Sequence, residues 1–421
     1  MSRNTNHIIK DKQYYKFCLY GFLKNLRFFE PFLIIFFLQK GLSFIEIGTL
    51  YAIREIAINI FEVPSGVIAD ALGRRKTLAS SFLVYIVAFI FFYLGQGFLL
   101  FGVAMILYAV GDAVRSGINK ALIISYLERT GQSELRVGYY GHTRSWSQFG
   151  SAISSLIAGF LVFFNEDLNT IFLFSVVPYL IDFLNVLAYP KYLDEHTQKN
   201  ISLKKRIAET TNIFILSVKN THLLKTLINA SIYGGFYKSV KDFIQPFLKS
   251  SIMVIPVVFA LNDHEKLSIL LGLTYFLMFI ANGIASRNAE KIKNLFKTRA
   301  GVLNTTLLVG AIVGIVSGSM MIYWVYPIII IAMFILLLLI ENLRKPSAVA
   351  EITIIGEKEV HASVLSVMSQ LTSLFTAGFV LIIGFIADHY DLGWGIIVIS
   401  LILAISFPIT RLFNENKAQG F

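Results

Sequence analysis

Apolar and polar positions along this chain come in blocks: runs of about 20 mostly apolar residues recur, separated by short polar breaks. A helix needs about 20 such residues to cross the roughly 30 Å hydrocarbon layer of a bilayer. Twelve spans can be drawn, near 15–38, 44–68, 77–95, 98–125, 138–163, 169–190, 222–248, 267–286, 300–319, 322–343, 362–387 and 393–412. Gly95-Gln96-Gly97, Asn165-Glu166-Asp167 and Ser317-Gly318-Ser319 read as tight outer turns between antiparallel helices. The apolar stretch from Ser251 to Leu261 is too short to span and reads as an outer extension of the seventh helix or an interfacial segment.

Basic residues then set the orientation, because cationic connections stay on the cytoplasmic side. Of the 37 lysines and arginines, 25 fall in the two tails and the connections 2–3, 4–5, 6–7, 8–9 and 10–11, while the opposite connections hold only Lys40, Lys249 and Lys266. This bias predicts an even number of spans with both termini cytoplasmic. The longest charged connection, Lys191 to Thr221 with Lys204-Lys205-Arg206, divides the chain into an N-terminal six-helix bundle (1–190), a cytoplasmic linker (191–221) and a C-terminal six-helix bundle (222–421). A weak internal similarity agrees: Ile157-Ala158-Gly159-Phe160 ends the fifth span much as Ile383-Gly384-Phe385-Ile386 ends the eleventh. The expected fold class is therefore an all-α polytopic membrane protein of twelve transmembrane helices in two pseudo-symmetric bundles, a common transporter plan with the solute site near midplane.

Composition excludes most alternatives. With 56% hydrophobic and 15% charged residues, the chain lacks the polar material for a water-facing surface. A single cysteine, Cys18, rules out an internal disulfide framework or a cysteine-based metal cluster, and the seven histidines never cluster, so no metal and no cofactor is expected. The net charge of +11 is explained by the inner connections without nucleic acid. The polar tail from Met1 to Tyr15 carries no signal-peptide pattern and should stay cytoplasmic. A multi-pass protein of the cell (inner) membrane follows, expected to act as a monomer.

The connection after the second span carries the most specific motif. Gly66-Val67-Ile68-Ala69-Asp70-Ala71-Leu72-Gly73-Arg74-Arg75-Lys76 resembles the loop signature of the major facilitator superfamily, with Ala71 departing from the basic residue usual there. Gly66 permits close helix approach, Gly73 a tight turn, and Asp70 can pair with a cation or a helix N-terminus. The counterpart in the 8–9 connection is degraded, with Gly283 followed by Arg287 and no acid at the matching place. Arg115-Ser116-Gly117 resembles the family's arginine-and-glycine motif in the fourth span with altered spacing. Gly150-Ser151-Ala152-Ile153-Ser154 lacks the proline that drug–proton antiporters of the family carry in the fifth span, which argues against that branch. Arg54-Glu55, Phe61-Glu62-Val63-Pro64-Ser65-Gly66 and Thr143-Arg144-Ser145-Trp146-Ser147 look like a bacterial branch without a clear substrate assignment. The resemblance implies a conformational switch built from Gly66, Asp70, Gly73, Arg74 and Arg75, with Arg144 or Arg115 as a partner for Asp70.

Charges at bilayer depth are costly, so they face the bundle interior, pair, or mark solute and proton paths. Here cations and anions nearly balance, which favours internal pairing for most. The resemblance places the first, fourth, seventh and tenth helices around a central cavity, and that singles out Arg27, Arg115, Asn119, Lys238 and Lys241 as solute contacts, with Trp146 and Tyr237 as stacking partners. A basic cavity suits carboxylate, phosphate or sulfate groups, which guanidinium binds bidentately. Glu30, Glu55 and Asp112, each beside a basic residue near midspan, are the candidates for proton coupling; for Glu55 next to Arg54 a permanent ion pair competes.

No catalytic constellation, nucleotide loop or metal spacing argues for a membrane enzyme, and no extra soluble domain argues for a sensor. The expectation is a secondary active transporter, symporter or antiporter, moving a small anionic or zwitterionic solute by alternating access, with or without proton coupling. The alternative is a proton-driven exporter of amphipathic or drug-like compounds.

Overall fold

Two of the charge-bearing apolar blocks, the first and the seventh, are interrupted as helices. The computed structural model describes residues 8–194, 220–252, 261–293, 296, 298–323, 327–355 and 361–413, and among these there is no strand. The helices are α1 (Lys12–Leu23), α2 (Leu33–Gln39), α3 (Phe44–Leu72), α4 (Arg74–Leu94), α5 (Phe98–Arg115), α6 (Ile118–Arg129), α7 (Arg136–Phe164) and α8 (Thr170–Leu187). They continue with α9 (Thr221–Val240), α10 (Ile244–Ser250), α11 (Asp263–Lys293), α12 (Arg299–Ile322), α13 (Pro327–Ile355), α14 (His361–His389) and α15 (Leu392–Thr410). The linker core 195–219 with Lys204-Lys205-Arg206, the segment 253–260 and the chain beyond 413 lie outside the described residues.

Among the described residues, nine helices are long and apolar enough to cross a membrane, at the places expected for spans three to six and eight to twelve. The first, second and seventh expected spans are helical but fall short of that measure. The second, α3, is diluted by Glu46, Arg54, Glu55 and Glu62. The other two are broken. After α1 the chain leaves the helix at Lys24, Asn25 Nδ2 donates to the Gly21 carbonyl at 2.7 Å, and a single 3-10 turn, Glu30–Phe32, restarts it ahead of α2. Pro31 has no N–H to give to a continuous helix. The seventh span breaks likewise: α9 stops at Val240, the 3-10 turn Lys241–Phe243 intervenes, and Pro246 follows in α10.

The two breaks lie on a repeat in the sequence. Tyr20-Gly21-Phe22-Leu23-Lys24 and Glu30-Pro31-Phe32-Leu33 are matched by Tyr233-Gly234-Gly235-Phe236-Tyr237-Lys238 and Gln245-Pro246-Phe247-Leu248, with Arg27 answered by Lys241. The packing repeats as well. In one region α4 packs on α5 and α8 while α1 packs on α7; in another α12 packs on α13 and α15 while α9 packs on α14. By contact the chain forms two compact units, one of Met1–Phe36, Ala57–Leu203 and Leu261–Gly283, the other of Phe37–Ile56, Lys204–Ala260 and Ile284–Phe421.

Three expectations are corrected. Ser317-Gly318-Ser319 is not a turn but lies inside α12, where a Cβ on Gly318 would meet the Gly393 carbonyl oxygen at 2.6 Å. Small residues in a membrane helix mark close helix approach as often as a turn. The fourth span, Phe98–Arg129, is interrupted within: α5 ends at Arg115, and Gly117, in a left-handed conformation (φ 74°) open to glycine, precedes α6. Arg344, counted above with the basic residues of the tenth-to-eleventh connection, is buried inside α13, with 1% of its surface exposed.

Candidate functional site

In the first unit Asp112 is a hub. Its Oδ1 accepts the Tyr85 hydroxyl at 2.5 Å and Arg115 Nη2 at 3.0 Å, and Arg27 Nη2 stands 3.7 Å away. Arg115 Nε also donates to the Tyr85 oxygen at 3.0 Å. The local sequence explains the assembly: Asp112 and Arg115 share one face in the last turn of α5, and the break after α1 turns Arg27 toward them. Tyrosine rings wall the hub. The Arg27 guanidinium lies 5.9 Å from the Tyr108 ring centre, Tyr85 and Tyr179 meet edge to face at 5.2 Å, and the Tyr179 hydroxyl donates to the Lys24 carbonyl at 3.1 Å. Two guanidiniums therefore share one carboxylate. Nearby, the fully buried Asp182 accepts Asn185 Nδ2 at 3.1 Å.

Beside the hub lies a polar cavity of about 230 Å³ whose lining includes Lys24, Asn25, Asn119, Tyr140, Arg144 and Gln148. Asn119 and Arg144, expected in separate roles, are thus brought together. Trp146 is placed differently: it is 40% exposed on α7 and packs edge to face on Phe22 and Phe149.

The signature loop has a firm anchor that sequence reasoning missed. Gly73 takes φ 92° between α3 and α4. Asp194 accepts the Arg75 backbone N–H at 2.9 Å and its Nε at 2.8 Å, and Arg75 Nη1 donates to the Leu187 and Tyr189 carbonyls at 2.9 and 3.2 Å. Arg74 Nη1 donates to Ser125 Oγ at 3.2 Å. Gly66 lies within α3, and the Asp70 side chain lies outside what the structure describes.

In the second unit Lys238 Nζ lies 3.3 Å from Glu55 Oε2, and Lys241 Nζ 3.6 Å from Asp242 Oδ1. Glu30 opens the 3-10 turn before α2, and Tyr237 is half-buried on α9. A cavity of about 340 Å³ is lined by Lys238, Glu341, Arg344, Lys345, Ser369 and Thr372 among others. Arg344 is its fixed wall. Its Nη1 donates to the Leu303 carbonyl at 2.5 Å and Thr306 Oγ1 at 2.7 Å, its Nη2 donates to the Asn229 carbonyl and Oδ1 at 2.9 and 2.6 Å, and the guanidinium stacks 4.4 Å from the Tyr233 ring centre. These partners tie α9, α12 and α13 together. Among the described residues it makes no ion pair, and Glu341 supplies a carboxylate to the same cavity beside the cations Lys238, Arg344 and Lys345.

Comparison with known proteins follows the same line. A family model described as the Major Facilitator Superfamily matches residues 18–343. An uncharacterized MFS-type transporter, YxaM, of Bacillus subtilis (strain 168) is 29% identical over 255 residues, 58% of this chain. The match spans 61% of that relative's length. Among solved structures, a mutant of the nucleoside transporter NupG superposes with a TM-score of 0.78 at 14% identity, covering 94% of this chain and 99% of that one. A D-xylose-proton symporter superposes with a TM-score of 0.67 at 13% identity, covering 94% and 97%. At such identities these structures share the fold with this chain.

Proposed function

This chain belongs to the Major Facilitator Superfamily of membrane transporters, a multi-pass protein of the bacterial inner membrane, and we propose that it moves a small anionic or zwitterionic solute. In this reading twelve helices form two bundles, 1–190 and 222–421, joined by the cytoplasmic 191–221 linker with both termini inside. Transport proceeds by alternating access of the two bundles.

The observation that carries the reading is the repeated cationic break: Lys24 and Arg27 in the first span, Lys238 and Lys241 in the seventh, each pair ahead of the matched proline. Backbone unwound around Arg27 and tightened to a 3-10 turn at Lys241, with cations at membrane depth, suits an anionic group and is hard to explain by packing alone. Asp112 and Glu55 then serve as resident counter-ions. When the solute's anion approaches Arg27, Arg115 or Lys238, the resident carboxylate is displaced and takes a proton from the side it faces, which couples solute to proton. Glu30, which stands where the seventh span has Gln245, is the third candidate for that role. Asn119 and Tyr237 complete the proposed solute contacts, and Gly66, Asp70, Gly73, Arg74 and Arg75, with Arg144 beside the path, the switch between access states.

A thermal-shift screen of the purified protein against anionic, zwitterionic, neutral and cationic solutes tests the reading. Saturable stabilisation by one anionic or zwitterionic class, followed by its flux in proteoliposomes, is expected. Stabilisation confined to cationic amphipathic compounds would overturn it in favour of an amphipathic exporter.

A further inference from the structure

Four cations of the apolar spans hold a carboxylate. Arg27 and Arg115 share Asp112, Lys238 holds Glu55, and Lys241 holds Asp242. Lys24 and Arg144 differ. Both line the 230 Å³ cavity between the break after α1, the start of α6 and the middle of α7, and no carboxylate is among the residues that line it. Among the described residues neither makes an ion pair; Lys24 rests its ammonium 5.1 Å from the Tyr20 ring centre. Asp182 and Asp112 act on Lys24 from behind, but no acid lines the cavity itself, and two cations facing it are costly to desolvate unless an anion is meant to arrive.

The rest of the wall is donor-rich. Gln148 Oε1 accepts Asn282 Nδ2 at 3.2 Å, which turns the Gln148 amide nitrogen away from that bond and leaves it as a donor. Asn119 Oδ1 is buried without a hydrogen-bond partner. The same side chain carries an amide NH2 group, a donor for an entering anion. The size also discriminates: 230 Å³ is below the roughly 300–1,000 Å³ of pockets that enclose a drug-sized molecule, and fits a charged head group.

We propose that Lys24 and Arg144, with Asn119 and Gln148, form the subsite that grips an oxyanion group of the solute, whether carboxylate, sulfonate or phosphate. Arg144 supplies the planar fork and Lys24 the point charge. Arg27 and Arg115, already bonded to Asp112, then form the next stop on the solute's path, where the anion displaces that carboxylate. This rests on the anionic-solute reading above and assigns the grip to residues outside the Asp112 hub.

The test measures thermal stabilisation of the purified full chain by inorganic phosphate, sulfate and acetate, at ionic strength matched with chloride. The same titration is run on Lys24→Gln, Arg144→Gln, Arg144→Lys and Asn119→Asp. Wild type should be stabilised saturably by at least one of the three. Both glutamine variants should bind that anion roughly tenfold or more weakly, and Arg144→Lys should lie between. Asn119→Asp supplies a resident acid, so it should raise the melting temperature without added anion and abolish the anion effect; this arm holds even if a glutamine variant fails to fold. Equal stabilisation of wild type and all folded variants would overturn the subsite while leaving the anionic reading in place. No stabilisation of wild type by any anion of the three or of the solute screen would overturn both.

Discussion

Asp388, at the end of α14, caps the start of α3: its Oδ1 accepts the Phe44 N–H and its Oδ2 the Ile45 N–H, each at 2.8 Å. The carboxylate satisfies two donors that a helix start leaves open and sits at the positive end of the helix dipole. The backbones touch there, since a Cβ on Gly384 would lie 3.0 Å from Ile45 Cα. The pentad that delivers it, Gly384-Phe385-Ile386-Ala387-Asp388, repeats Gly66-Val67-Ile68-Ala69-Asp70 of the signature loop. Replacing Asp388 by Ala should lower stability by about 1 kcal/mol, the usual cost of a lost helix cap. Thermal melting of the purified protein checks this; an unchanged melting temperature would remove the cap from the account.

Arg344 should be the least replaceable cation of the second unit. Removing a fully buried guanidinium strands the Asn229, Leu303 and Thr306 acceptors, and Arg344→Gln should cost about 3 kcal/mol or more. Asn229→Ala removes only the bond to Oδ1, since the backbone carbonyl still accepts, and should cost less, about 1–2 kcal/mol. The measurement is yield of monodisperse protein together with its melting temperature.

Tyr85→Phe separates the phenol from the ion pair it bridges. The Asp112–Arg115 contact at 3.0 Å survives while the 2.5 and 3.0 Å bonds of the hydroxyl are lost. A loss of about 1–3 kcal/mol in stability is expected, with solute affinity changed less than by Arg144→Gln. Melting and ligand titration on one preparation compare the two.

Asp194→Ala should loosen the signature loop. It removes the acceptor of both the Arg75 backbone and its side chain, and Arg75 keeps only the Leu187 and Tyr189 carbonyls. Flux in proteoliposomes should fall while solute affinity holds. Lost affinity with preserved flux would contradict an anchoring role.

The orientation is checked by labelling single cysteines from outside intact cells, in a background where the buried Cys18 is replaced. A cysteine at position 166 should react and one at 205 should not; the reverse pattern would overturn the topology.

Much of this was legible in the sequence because the membrane forces a one-to-one relation between apolar length and helix. The signature loop and the excess of intramembrane charge could be read from the sequence, and Asp112 stood out as a midspan acid beside a basic residue; that it bridges Arg27 and Arg115 could not be read from spacing. Nor could others. Lys24 differs from Arg27 only in which side of a helix break it faces, and Arg344 looked like one more basic residue after an apolar run until its partners on α9 and α12 were in place. Asp194 lies beyond the sixth span, and nothing local announces that it returns to Arg75. The repeat of Tyr-Gly, Lys and Pro-Phe-Leu between the first and seventh spans was the one available signal for the breaks, and it is obscured by inserted residues such as Gly235.

The most direct test of the central claim is uptake into proteoliposomes of a stabilising anionic or zwitterionic solute, compared with its uncharged amide of the same shape. Loss of a charge-assisted contact costs roughly 1.5–3 kcal/mol, so uptake of the charged form should exceed that of the amide by about tenfold or more at subsaturating concentration. The preference should collapse in Arg144→Gln. Equal uptake of acid and amide by the wild-type protein would contradict an anion-gripping site.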